Sequence, residues 1–149
     1  MRSPCATDLP VDGPADAAFE AALGVVQNTK NLDLLAVHRE GRRLIAYEKP
    51  KLTSARIHMV VVHDGEPTVV THAVGNDPRT SAALLDGRFN RKAAQQFLEA
   101  VVAALDGSRP APVTPVENHY VQKDERVPWT DPEQEPDIEL GFSWRTAFG

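Results

Sequence analysis

Phe19, Ala22, Leu23 and Val26 recur at the i, i+3, i+4, i+7 spacing that sets side chains on one face of a helix. Pro14 stands ahead of them at a position suited to a helix start, so a helix is predicted over about 14–29. The period then changes. Two apolar runs flank Glu40-Gly41, where glycine suits a tight turn, and predict strands over about 33–39 and 42–48. A second pair flanks Asp64-Gly65, a strong hairpin signal, and predicts strands over about 56–63 and 67–74. Pro67 cannot donate to a ladder, which sets the start of that last strand at an edge or a non-bonded position.

Helical signals follow. Asp77 is a capping type, Pro78 suits a first helical position and Gly87 a stop, predicting a short helix over about 80–86. Asn90 caps a longer helix in which Ala94, Phe97, Leu98, Val101, Val102 and Leu105 form a wide apolar stripe and Gly107 marks the end. Beyond it, Ile138, Leu140, Phe142 and Trp144 alternate with Glu139, Gly141, Ser143 and Arg145, a period of two that suits a half-buried strand. The predicted order is α-β-β-β-β-α-α with this further strand at the end. Sequential hairpins without a crossover helix imply an α+β fold, an antiparallel sheet of four to five strands with its helices packed on one face.

Proline and charge divide the chain. Six of the 12 prolines fall after Gly107, and eight of the 21 acidic residues lie from Glu117 onward against three basic ones, so the net charge of −5 belongs to that segment. The expected organisation is a disordered N-terminus over 1–12, an α+β domain over 13–107, and a Pro-rich acidic tail over 108–149 ending in a strand at 138–145. An acidic tail argues against nucleic acid as a partner, although Arg39, Arg42, Arg43, Lys49, Lys51 and Arg56 gather around the first hairpin and its exit. No stretch approaches the roughly 18 apolar residues of a membrane span. Cys5 is the single cysteine and no apolar run precedes it, so a cytoplasmic protein is expected.

The chain carries no phosphate-loop, dinucleotide-binding, HExxH, GxSxG or paired CxxC motif. Its histidines are the natural place to seek a base or a metal ligand. A two-residue turn at Asp64-Gly65 sets His58 opposite Thr71 and His72 opposite Ile57, hence on opposite faces of the sheet, and predicts neither metal nor cofactor. His72 with Asn76, Asp77 and Arg79 forms a catalytic candidate at a strand end, with His58 as a weaker member. Arg88, Arg91 and Lys92 stand where the helix dipole disfavours cations, which points to a bound anion or to the acidic tail as their counter-charge.

Two function classes follow. The first is a non-catalytic interaction module, adaptor-, chaperone- or inhibitor-like, that binds a protein partner or a second copy of itself. It would do so through a sheet edge and an aromatic tail, with Trp129, Ile138, Leu140, Phe142 and Trp144 as the contact residues; aromatic side chains are common interface anchors. The alternative is a small α+β enzyme or ligand-binding protein with a pocket between sheet and helices.

Overall fold

The turn at Glu40-Gly41 joins β2 (Leu32–His38) to β3 (Arg43–Glu48) in the predicted place, closed by an Arg42 N–H to Arg39 carbonyl bond of 3.1 Å. Arg42 itself takes the left-handed conformation, at φ 51°. Gly41 is required for space: a Cβ there would run into Pro132. Further along β2 the register shifts at Leu35, between Leu34 and Ala36. That bulge exchanges the faces of the strand, so Val37 on one side of it and Leu32 and Leu34 on the other all reach the same core.

The structure is a computed structural model that describes residues 5–49, 55–76, 86–136 and 138. Besides β2 and β3 it contains β1 (Cys5–Val11), α1 (Ala15–Asn28), β4 (Arg56–His63), β5 (Thr68–Asn76), α2 (Asp86–Leu105), β6 (His119–Gln122) and β7 (Glu125–Pro128). The strands form one antiparallel sheet in the order β1-β5-β4-β3-β2-β6-β7. Both helices lie on one of its faces, where Phe19, Leu23, Val26, Phe97 and Val101 pack on Val37, Leu44, Val60 and Val70. The α+β class therefore holds, with seven strands in place of four to five and a different element order. The additions are β1, β6 and β7, strands of seven, four and four residues. Proline and charge in β1 and β7, which keep sheet edges from pairing with other chains, are also what hides their alternation.

Residues 5–11, within the segment expected to lack structure, pair with β5 throughout, from Cys5 opposite Val74 to Val11 opposite Thr68. The longer helix also departs from expectation. Gly87 and Asn90 lie inside α2 and neither stops nor caps it, whereas Gly107, at φ 81°, follows its end as predicted. The short helix expected at 80–86 lies outside the described residues except for Asp86, which opens α2, and the expected strand at 138–145 lies outside them beyond Ile138.

The segment after α2 runs back along α1. Gln27 Nε2 donates to the Thr114 carbonyl and the Thr114 N–H donates to Gln27 Oε1, both at 2.9 Å, while Asn28 Nδ2 donates to the Pro112 carbonyl at 2.8 Å. The close approach rests on Gly24, where a Cβ would collide with the Ala111 carbonyl oxygen. Alanine raises helix propensity by about 1 kcal/mol, but a backbone collision costs about 1–3. Gly24→Ala is therefore expected to lower stability by up to about 2 kcal/mol and to speed exchange of the Thr114 amide. A more stable Gly24→Ala protein would show that the segment is not held there.

Candidate functional site

The site grows from the register of three adjacent strands. Glu48 of β3 stands opposite Arg56 of β4, and Arg56 opposite Asn76 of β5. Two residues along, His58 stands opposite Val74, and two further, Val60 stands opposite His72. All these side chains share the helix-covered face, so His58 and His72 are diagonal neighbours. This overturns the opposite-face expectation. His63 pairs with Val69, so the loop spans residues 64–68 and not the two residues Asp64-Gly65. Pro67, unable to donate, stays outside the ladder, and β5 begins at Thr68. The pairing moves by three residues, and an odd shift flips every side chain to the other face.

Shared facing creates a hydrogen-bonded chain. His58 Nε2 lies 2.9 Å from Glu48 Oε1, and His58 Nδ1 lies 2.9 Å from His72 Nε2. Arg56 pairs with the other Glu48 oxygen and donates from Nε to Asn90 Oδ1 at 3.0 Å; Asn90 Nδ2 donates to Asn76 Oδ1 at 2.6 Å. Asn90 thus ties α2 to the sheet. Phe97 of α2 covers both imidazoles, stacked on His72 at 4.6 Å between centroids and tilted over His58 at 5.7 Å.

Protons can be assigned by donor and acceptor. The Glu48 carboxylate accepts, so His58 donates through Nε2–H. The contact between the two rings, Nδ1 of His58 to Nε2 of His72, holds a single hydrogen and leaves His72 Nδ1 outside the chain of bonds. That nitrogen is buried and has no hydrogen-bond partner. Burial pushes the His72 pKa well below its ordinary 6.5, helped by repulsion from His58. For Glu48, burial acts upward and is the largest single influence, yet the hydrogen bond and charge of His58 together with Arg56 outweigh it and hold the carboxyl below 4.5.

The chain of bonds ends at a cleft of about 710 Å³ between the sheet, the end of α1 and α2. Val25, Leu32, Ala93, Phe97 and Ala100 supply its apolar wall, and Glu48, Arg56 and His58 its polar floor, with Lys49, Glu99 and Arg109 also lining it. His72 is 0% exposed and His58 1%, whereas the Glu48 side chain is 23% exposed. Glu48 is the member of the chain of bonds that a ligand would meet. Sequence reasoning misses it because nothing nearby marks a glutamate at a strand end, and only the correct pairing brings it to His58.

The other sequence candidates fare differently. Asp77 and Arg79 lie outside the described residues, as do Leu140, Phe142 and Trp144. Trp129, expected to contact a partner, is 4% exposed. It packs edge-on against His38 at 5.6 Å and belongs to a second core of Ala36, Ile45, Ile57, Met59 and Ala73 on the face away from the helices, with Ile138 half-buried against it. Of the basic residues around the first hairpin, Lys51 lies outside the described residues and the others are met one by one: Arg39 by Glu20, Arg42 by Asp16, Arg43 by Glu133, Lys49 by Asp33 and Arg56 by Glu48. Arg88, Arg91 and Lys92 are exposed and make no ion pair among the described residues. Among those residues, too, no cluster of three or more His, Cys, Asp or Glu is arranged to hold a metal. No helix among them is long and apolar enough to cross a membrane.

No protein-family profile matches the chain, and no curated protein matches it in sequence. Among solved structures it is similar to DynU16, a protein of the dynemicin biosynthetic locus, with a TM-score of 0.53 and 14% identity over 75% of this chain and 50% of that one. A second likeness is to TTHA0849 from Thermus thermophilus, with a TM-score of 0.39 and 12% identity over 70% of this chain and 94% of that one. This chain thus spans about half the length of DynU16, and the likeness is one of fold.

Proposed function

We propose that this protein binds a small amphipathic molecule in the cleft between sheet and α2. The observation that carries the reading is the Glu48–Arg56–His58 cluster on the floor of an otherwise apolar cleft. Ligand sites commonly combine apolar walls with a few placed polar groups. A floor with both a paired carboxylate and a paired guanidinium suits a neutral head group that donates and accepts, such as a hydroxyl or an amide, because a net charge would face its own sign on one of the two. Binding is favoured over proton abstraction: a carboxyl held below its ordinary pKa is a weak base at neutral pH.

The test is protein-observed NMR with a library of neutral amphipathic fragments. Saturable binding with a Kd in the range of about 0.1–1 mM is expected, with shifts at Glu48, His58 and Phe97, weakened about tenfold or more by His58→Phe and unaffected by Ser108→Ala. No saturable binder, or binders that shift only residues outside this cleft, would overturn the proposal.

A further inference from the structure

Past Asp86, the charges along α2 are arranged against its own dipole. Arg88, Arg91 and Lys92 lie in its first two turns, Glu99 lies in its last two and Asp106 just beyond them, all exposed. A helix favours the reverse order, anions first and cations last. Neither set meets an opposite charge within the described chain: the cations have no ion pair, Glu99 accepts from Gln95 Nε2 at 3.2 Å, and Asp106 bonds to Ser108, whose N–H lies 2.8 Å away. Of the acidic residues expected to serve them, Glu133 pairs with Arg43.

Both charge sets border one feature, a groove of about 640 Å³ between α2 and the edge strand β1. Arg91 stands at one end and Asp106 at the other, about 22 Å apart at helical rise. Leu9, Leu98 and Val102 lie between them, and Val102, at 42% exposure, is the exposed large hydrophobic residue among those described.

We infer that this groove is the contact between two copies of the chain, related by a two-fold axis with their α2 helices antiparallel. A self-complementary patch is what a two-fold interface requires, since each residue must meet the equivalent of its partner's partner. Running α2 against a reversed α2 sets Arg91 beside Asp106 of the second copy, at both ends at once. It covers Val102 and Leu98 in the middle, and it opposes the two helix dipoles favourably. Arg91 and Asp106, each misplaced on its own helix, are then answered by the other helix, while Glu99 lies near the axis. Another protein would need to reproduce this symmetric pattern, whereas a second copy carries it by construction. Pro10 and the exposed Asp8 on β1 place the contact on the helix flank and not on the strand's outer hydrogen-bonding edge. The inference does not depend on the ligand cleft, which opens on the other flank of α2.

Sedimentation equilibrium of the full chain tests it, between about 5 and 200 µM at low salt. A monomer–dimer equilibrium is expected, weakened by added salt because the charged contacts lie at the rim. Arg91→Glu and Asp106→Arg are each expected to raise the dimer Kd about tenfold or more, since symmetry repeats every change twice. The double variant Arg91→Glu/Asp106→Arg is expected to bring it back to within about threefold of the parent, because the swapped charges again face opposites. Circular dichroism melts confirm that the single variants remain folded; both sites are exposed. A monomer throughout the range overturns the inference, as do single variants without effect or a double variant that fails to restore association.

Discussion

Trp129→Ala is expected to lower the unfolding free energy by about 3–5 kcal/mol, as large-to-small changes of buried aromatics do. The indole is 4% exposed, and its Nε1–H donates to the carbonyls of Asp131 at 2.8 Å and Gln134 at 3.1 Å. Truncation opens a cavity against Ile45, Ile57 and Met59 and also removes the indole donor from both carbonyls, of which Asp131 keeps the Gln134 N–H at 3.1 Å. The loss spreads to the hairpin, because the same region holds His38 through the Thr130 carbonyl at 3.2 Å and Arg43 through the Pro132 carbonyl. β6 is joined to β2 by only two paired positions, Ala36 with Tyr120 and Val37 with His119. Amides of β6 and β7 are therefore expected to lose hydrogen-exchange protection before the rest of the sheet. Urea unfolding gives the energy and exchange mass spectrometry the location. A loss below about 1 kcal/mol, or exchange that rises evenly over the sheet, would mean that residues 119–136 are not secured by this side chain.

That tryptophan also shows where sequence reasoning stops. Strong periodicity carries through: the apolar face of α1, the Glu40-Gly41 turn, and the stripe from Ala94 to Leu105, apart from the exposed Val102, appear as their spacing demands. Each of these depends on residues near one another in sequence. Failure begins where a short segment is stabilised by distant partners. HYVQ and ERVP are too brief and too polar to signal strands, and their two-residue turn uses Lys123 and Asp124 at φ 50° and 64° in place of the glycine or asparagine that would mark it. β1 is obscured in the same way by Pro10 within CATDLPV. The site suffers from a subtler limit. Both histidines are visible, but their relation depends on the parity of one loop, and a turn dipeptide as strong as Asp64-Gly65 still does not fix loop length. A three-residue error there separates two side chains that are in hydrogen-bond contact, and with them goes Glu48, which becomes a candidate only once His58 is placed beside it.

The histidine pair makes the fold sensitive to acid, and the sign follows from which state binds the proton. His72 takes up a proton near its ordinary 6.5 in the unfolded chain but resists it in the folded one, where burial first and His58 second disfavour the cation. Its contribution to stability is complete above 6.5 and declines as pH falls from there toward the folded value, by about 1.4 kcal/mol per pH unit for as long as the fold keeps the ring neutral. Glu48 acts in the same direction in a lower window, because its folded pKa lies below the ordinary 4.5 and its contribution is lost only as pH falls beneath that value. Between pH 7 and 5 the slope therefore belongs chiefly to His72, and stability is expected to fall across that interval. The cost of protonation is geometric as well as electrostatic: the cation carries an N–H at both ring nitrogens, and at the buried Nδ1 no acceptor awaits it. His72→Phe keeps a ring for Phe97 to stack on and removes the titration. The variant loses the bond to His58, so its stability at pH 7 is expected to be lower, and the comparison rests on slopes and not on levels. Urea midpoints measured at pH 7, 6 and 5 are expected to fall steeply for the parent chain and nearly to level off for the variant. Parallel profiles would show that the acid sensitivity arises elsewhere and that His72 is protonated in the folded protein as readily as in the unfolded chain.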